Sequence, residues 1–321
     1  MKKLITFSFI VLNCILMQAQ TYKEWTSKAD SCYRAQNYKL SVDFYEKAFK
    51  VENKDSGDFY NAGCSAALAQ ENKKALNWLN LAIDNGFEDI ARMKKDNDLK
   101  SLHEDKDWKK MIARFQKKRD IVEVNYDKPL QKELLDIYAE DQDIRGVAMK
   151  IIKTDGRGSK ALDSIGKIMS YKDSINLIRV IKILDEKGWV GKDVVGSQAS
   201  QALFLVIQHA DLKYQQKYLP MMRDAVKKGN AKASSLALLE DRVALREGGK
   251  QIYGSQVMNH PITKKPFVSP LEDPDNVDKR RASVGLGTLS DYLKYWNATW
   301  DVEAYKKELP ELEEIIRQKK G

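Results

Sequence analysis

From Trp25 to Phe87, large and small residues return at an offset of 34. Trp25 aligns with Phe59, Ala29 with Gly63, Ser41 with Ala75, Tyr45 with Leu79, and Ala48 with Ala82. Bulky positions alternating with small ones at helical spacing let antiparallel helices approach closely, so each period predicts a helix–turn–helix unit. NYKLSVDFYEKAFKVE (37–52) reads as the second helix of the first unit, and ENKKALNWLNLAIDNGF (71–87) as its counterpart. The stretch ending in DLKSLHEDKDWKKMIARF (98–115) loses the repeat and predicts a closing cap.

Around VEVNYDKP (122–129) the pattern stops, which predicts a connector, and helical periodicity resumes at Leu130. LQKELLDIYAEDQDIRGVAMKIIK places Leu134, Ile137, Ile144 and Ile151 at helical spacing, and YKDSINLIRVIKILDEKG ends on Gly188, a predicted C-cap. In SQASQALFLVIQHAD the run from Ala202 to Ile207 is apolar on every face. Such a helix has to be buried on all sides, which makes it the predicted centre of this part of the chain. Two amphipathic helices ending at glycine follow, LKYQQKYLPMMRDAVKKG and NAKASSLALLEDRVALREGG. Gln251 to Pro270 breaks the periodicity and predicts a small hairpin or extended arm; short helices then lead to a final helix in ELPELEEIIRQKK.

The 34-residue unit is similar to a tetratricopeptide repeat, whose stacked helix pairs form a concave groove. Such a groove holds a peptide or a partner helix; alternatively, two and a half repeats brace the following domain. The expected fold class is all-α, with N-terminal tetratricopeptide helical repeats, a second helical domain and at most a small β-hairpin. The expected organisation is 1–19 signal peptide, 20–121 repeat domain, 122–129 linker and 130–321 second helical domain.

The signal assignment rests on the basic pair Lys2 and Lys3, the apolar stretch Leu4 to Met17, and Met17-Gln18-Ala19 as a cleavage site. The stretch is too short for a membrane-spanning helix, which needs roughly 20 apolar residues. The chain is therefore expected to be exported, periplasmic or secreted, without a stable membrane span after cleavage. Cys14 suggests a lipoprotein signal, but the apolar run continues past it.

Composition narrows the function classes. The formal charge is +9 and drops by two, to +7, without Lys2 and Lys3. Basic and acidic residues are interleaved, and the short runs Lys117-Lys118-Arg119 and Lys279-Arg280-Arg281 form no stripe, so no nucleic-acid partner is expected. Cys32 and Cys64 remain after signal removal, as one disulfide or two buried thiols; the inward-facing position of Cys32 favours thiols. His103, His209 and His260 are widely separated and no metal-ligand spacing is present, so no metal or other cofactor is expected.

GWVGKDVVGSQASQALFLVIQHAD, LLEDRVALREGGKQIYGSQ and PLEDPDNVDKRRASVGLGTLSDY, in this order across about 130–296, resemble an uncharacterised bacterial helical family, domain of unknown function 6624. In that family the turn is usually Gly-Trp-Pro, where this chain has Val190, and threonine is common where this chain has Ser255. The resemblance implies a fold and a set of polar motif positions, and no activity.

Several polar residues within these motifs are candidates for chemistry. His209 ends the buried helix, where the helix dipole favours an imidazolium and a semi-desolvated setting suits acid–base work. A C-capping or core histidine would look the same in sequence. Asp141 and Arg145, four apart, share a helix face. Asp241 and Arg242 interrupt an apolar face and are expected to form a buried acid–base pair; Gln251, Tyr253, Gly254 and Gln256 are expected to form a polar strand lining a pocket. The hypothetical catalytic set is thus His209, Asp241 and Asp141. The hypothetical ligand-binding set is Gln208, Asp211, Arg145, Arg242, Trp189, Tyr253 and Gln256. A buried ionic network holding helices in register would use the same residue types. Ser164 and Lys167 match an SxxK spacing without its partner motifs.

The expected function is an exported cell-envelope binding or scaffold protein. The repeats bind a peptide or protein partner, and the helical domain a second ligand. The alternative is a hydrolase-type enzyme with His209 as general acid or base. Convergence of His209, Asp241 and Tyr253 on an open pocket would favour the enzyme.

Overall fold

The computed structural model describes residues 22–51 and 55–318. The predicted signal segment, 1–19, lies outside them. The chain divides into two compact units, one ending at Val124 and one beginning at Asn125. Both are helical, and the described strands amount to one two-stranded sheet, so the fold class is all-α with a small β-hairpin.

In the first unit, α1 covers 22–34, α2 Tyr38–Ala48, α3 Ser56–Leu68, α4 Asn72–Asp84 and α5 Ile90–Lys95; a 3-10 turn, Asn97–Leu102, leads to α6, Lys106–Val122. The 34-residue offset is physical as well as textual. Gln36 and Gln70, at equivalent positions between paired helices, both take left-handed backbone angles, with φ of 60° and 65°. Ser41 and Ala75, Tyr45 and Leu79, and Ala48 and Ala82 are all fully buried. Close approach is what the small positions provide: a Cβ on Gly63 would lie 2.7 Å from the Leu79 side chain. Ser41 Oγ donates to Ala29 O at 2.9 Å, so a buried hydroxyl spans two helices without an unmet bond. Cys32 and Cys64 are both free thiols.

The second unit begins with two 28-residue helices, α7 (Lys128–Asp155) and α8 (Lys160–Lys187). Asp127 caps α7 by accepting from Leu130 N–H, and Pro129 sits in the first turn, where no N–H is needed. Gly188 ends α8 with φ of 71°, in the left-handed region open to glycine. After the short α9 (Lys192–Val195) comes α10, Ser197–His209, packed among α7, α8, α11 (Leu212–Lys227) and α12 (Ala233–Glu247). Ala202, Leu203 and Ile207 are fully buried, as expected of a helix apolar on all faces.

Strands β1 (Val257–Asn259) and β2 (Pro266–Val268) form an antiparallel hairpin with Met258 opposite Phe267. With α13 (Val277–Ser283), α14 (Leu289–Leu293) and α15 (Val302–Gln318) they surround a second core containing Leu271, Leu289 and Tyr305. The segment 251–256 before the hairpin is a loop, not the predicted strand; only Gln251 makes a bridge, to Leu271. The loop is held instead by a side chain, Asp241, as described below. Among the described residues no helix is long and apolar enough to cross a membrane.

Candidate functional site

His209, the last residue of α10, lies between α7 and α8. Its Nδ1 is 3.0 Å from Asp141 Oδ1, and Asp141 itself is 1% exposed. A proton on Nδ1 shared with that carboxylate leaves Nε2 as an acceptor, and Arg145 Nε–H points to it at 3.4 Å. Arg145 sits one turn beyond Asp141 on α7. It grips Asp173 of α8 through both terminal nitrogens at 3.0–3.1 Å and also donates to Asp141 O. The result is an ordered chain, Asp141–His209–Arg145–Asp173, across three helices. Burial alone would raise the Asp141 carboxyl, but the His209 hydrogen bond and the nearby charge of Arg145 outweigh it, so its pKa falls below the usual carboxylate value. Asp141, His209, Asp211, Ser170 and Ser174 line a polar cavity of about 210 Å³.

Asp241 is not part of this chain. It is fully buried on α12, and its carboxylate accepts backbone N–H bonds from Ile252 and Tyr253 (Oδ1, 2.7 and 2.9 Å) and from Ser255 (Oδ2, 2.9 Å). Burial pushes its pKa up, against the lowering effect of those three bonds. The expected Asp241–Arg242 pair is therefore absent, and so is convergence of His209, Asp241 and Tyr253. Successive helical residues point in different directions, so adjacency in sequence carried the two side chains apart. Tyr253 gives Asp241 its N–H and accepts from Arg281 at its carbonyl; it belongs to the loop anchor.

Arg242 points back towards the end of α10. Its Nη1 donates to Gln208 O at 2.6 Å and its Nε to Gln256 Oε1 at 3.1 Å. Among the described residues no carboxylate pairs with it. Burial, with Arg246 and Arg145 nearby, pulls its pKa down to about 10. Gln208 is buried, donates from its amide to Leu238 O, and leaves its own Oε1 without a partner. The structure thus groups Asp141, Arg145, His209 and Asp211, sets Gln208, Arg242 and Gln256 beside them as a bonded set, and removes Asp241 and Tyr253. Trp189 lies apart: it lines a cavity at the opposite end of α10, with Ser197 and Gln201, about 18 Å away at 1.5 Å per residue.

The first unit holds a site that residue motifs did not reveal. A polar cavity of about 610 Å³ runs along α1, α3, α5 and the following 3-10 turn. Its three carboxylates are held by tyrosines: Tyr45 hydroxyl on Asp30 (2.5 Å), Tyr60 on Asp96 (2.6 Å) and Tyr33 on Asp98 (2.5 Å). Arg34, Arg92 and Lys95 share the lining, and among the described residues none of the three forms an ion pair. Arg92 lies over the Tyr60 ring at 4.7 Å. Cys64, Asp96 and Asp98 bring a sulfur and two carboxylates within 4.8 Å of one another. Burial and the two carboxylates push the Cys64 thiol up, so without a cation beside it the thiol stays protonated. The signal in the sequence for this region is the 34-residue repeat, which does not say which side chains line the cavity.

Fold and sites together define an all-helical protein with a grooved first unit and a second unit built around one buried helix. A family profile described as a family of unknown function (DUF6624) matches residues 128–307, more than half of the chain, and the chain belongs to that family. No curated protein and no solved structure matches it.

Proposed function

We propose that this chain is an exported binding protein of the cell envelope. Its first unit, of tetratricopeptide type, holds an extended peptide or protein segment, and its second unit holds a second ligand. The observation that carries the reading is the charge arrangement in the groove. The tyrosine hydroxyls engage Asp30, Asp96 and Asp98, while Arg34, Arg92 and Lys95 have no carboxylate among the described residues. The tyrosine bonds fix the three carboxylates in place but leave them charged, so the three cations that form no ion pair among the described residues are local points for an acidic side chain or a free C-terminal carboxylate.

The test is fluorescence anisotropy with an octapeptide library synthesised with free and with amidated C-termini. Free-acid or acidic members are expected to bind, and a triple Arg34→Ala, Arg92→Ala, Lys95→Ala variant to lose about tenfold or more in affinity, the order of one or two charge-assisted bonds. Binding that ignores both charge and the triple variant would refute the groove assignment. Export is tested separately, by N-terminal sequencing of the protein recovered from the cell envelope or medium; a start at Gln20 is expected.

One observation favours a second reading, a hydrolase using His209. The Asp141–His209 pair opens on a polar cavity, as a general acid–base group requires. Arg145 occupies the imidazole's other nitrogen and no nucleophile among the described residues bonds to it, so binding ranks ahead of catalysis. Turnover of peptide or cell-wall fragments that disappears in His209→Ala while groove affinity persists would reverse that order.

A further inference from the structure

The cavity at the first turn of α10 has a different character from the His209 pocket. It encloses about 210 Å³. Trp189, Phe204 and Met222, at 6%, 7% and 0% exposure, make its apolar wall. Lys192 and Lys232 stand at its rim, exposed, and among the described residues neither has a carboxylate partner. Ser197 and Ser235 add hydroxyls from the first turns of α10 and α12. The loop at 229–231 closes against Gly191, where a Cβ would fall 2.4 Å from Asn230 Oδ1, so glycine is needed to seal that side.

Size and lining together restrict what fits. An apolar cavity of about 150 Å³ takes up benzene, so about 210 Å³ accommodates one ring and a short appended group. A purely apolar occupant would make no use of the two cations and two hydroxyls at the mouth. A bare inorganic anion would leave the Trp189–Phe204–Met222 wall against water. Neither α10 nor α12 has a side-chain N-cap, which adds to the preference for negative charge at this mouth.

We propose that this cavity binds a small organic anion: an apolar body of about one ring bearing a carboxylate or a phosphate, with the ring against Trp189 and Phe204 and the charge between Lys192 and Lys232. The proposal rests on the reading of the second unit as a ligand-binding unit and does not depend on the groove.

Isothermal titration of the full chain with phenylacetate and with phenyl phosphate tests it, with inorganic phosphate and benzyl alcohol as charge-only and ring-only controls. At least one ring-bearing anion is expected to saturate at one per chain, with both controls about tenfold weaker or more; the preferred anion distinguishes carboxylate from phosphate. A double variant, Lys192→Gln with Lys232→Gln, changes only exposed side chains and is expected to retain the fold by circular dichroism. It should weaken the anion about tenfold and leave benzyl alcohol unchanged. Failure of both anions to bind at millimolar concentration, equal binding of benzyl alcohol, or an unaffected double variant would each overturn the proposal. Octapeptide affinity of the unsubstituted chain separates this outcome from failure of the groove: peptide binding without anion binding overturns this proposal alone, anion binding without peptide binding overturns the groove reading alone, and the double variant is expected to keep its octapeptide affinity.

Discussion

Asp241 satisfies three backbone donors of the 251–256 loop at once, so its removal strands one buried N–H group, that of Ser255, and two half-buried ones, those of Ile252 and Tyr253. Each stranded group costs about 1–3 kcal/mol, and Asp241→Ala is expected to lose about 3 kcal/mol or more in urea denaturation. Asp241→Asn keeps an acceptor for Ile252 and Tyr253 and loses only the Ser255 bond, so its loss is expected to be well under half as large. Equal losses would mean that the charge, not the bonding pattern, holds the loop. Asp58 offers a pH test in the first unit. Burial pushes its carboxyl up to about 6, against the opposing bond from the Tyr22 hydroxyl. A folded pKa above the unfolded value means the folded state binds the proton more tightly, so stability rises as pH falls from about 7 towards 4. Asp58→Asn is expected to raise the melting temperature at pH 7 and flatten that dependence. Asp141 has the opposite sign: its lowered pKa contributes stability above the ordinary carboxylate value, and that contribution is lost on acidification.

Between elements, the contact between α3 and α4 depends on Gly63. The Leu79 side chain that a new Cβ would meet at 2.7 Å is itself fully buried, so it can withdraw only by displacing its neighbours. Gly63→Ala is therefore expected to cost about 1–3 kcal/mol despite alanine's higher helix propensity, and a more stable variant would show that the two helices can separate freely. Most of this level was legible beforehand. The small-to-large alternation predicted α1 to α4, the all-apolar run predicted buried α10, and Gly188 predicted the end of α8, because each is a local pattern read against a fixed helical geometry. The polar strand at 251–256 was not legible. Its backbone bonds go to a carboxylate on another element, and no local pattern announces such a partner.

For the whole molecule, the second unit carries two apolar cores of its own, one around α10 and one around the hairpin and α15. Residues 125–321 produced alone are accordingly expected to unfold in one cooperative transition. Noncooperative melting with strong dye binding by exposed apolar surface would show that this segment is not a folding unit.

Candidate residues fared according to how local their partners are. Asp141 and Arg145 lie one helical turn apart and were paired from spacing alone, but His209, which completes the chain, is 68 residues from Asp141. Asp241 and Arg242 adjoin in sequence, but neighbouring helical positions diverge by about 100°, which carries their side chains apart. The sequence by itself determined the helical class, the 34-residue stacking and the burial of α10, since hydrophobic periodicity acts over one or two turns. Only the tertiary structure decided which acid meets His209, which cations of the groove stand without a carboxylate, and that Trp189 and Lys232 share a cavity. Those outcomes depend on side chains from distant segments meeting within about 4 Å, a distance that packing sets and spacing along the chain does not.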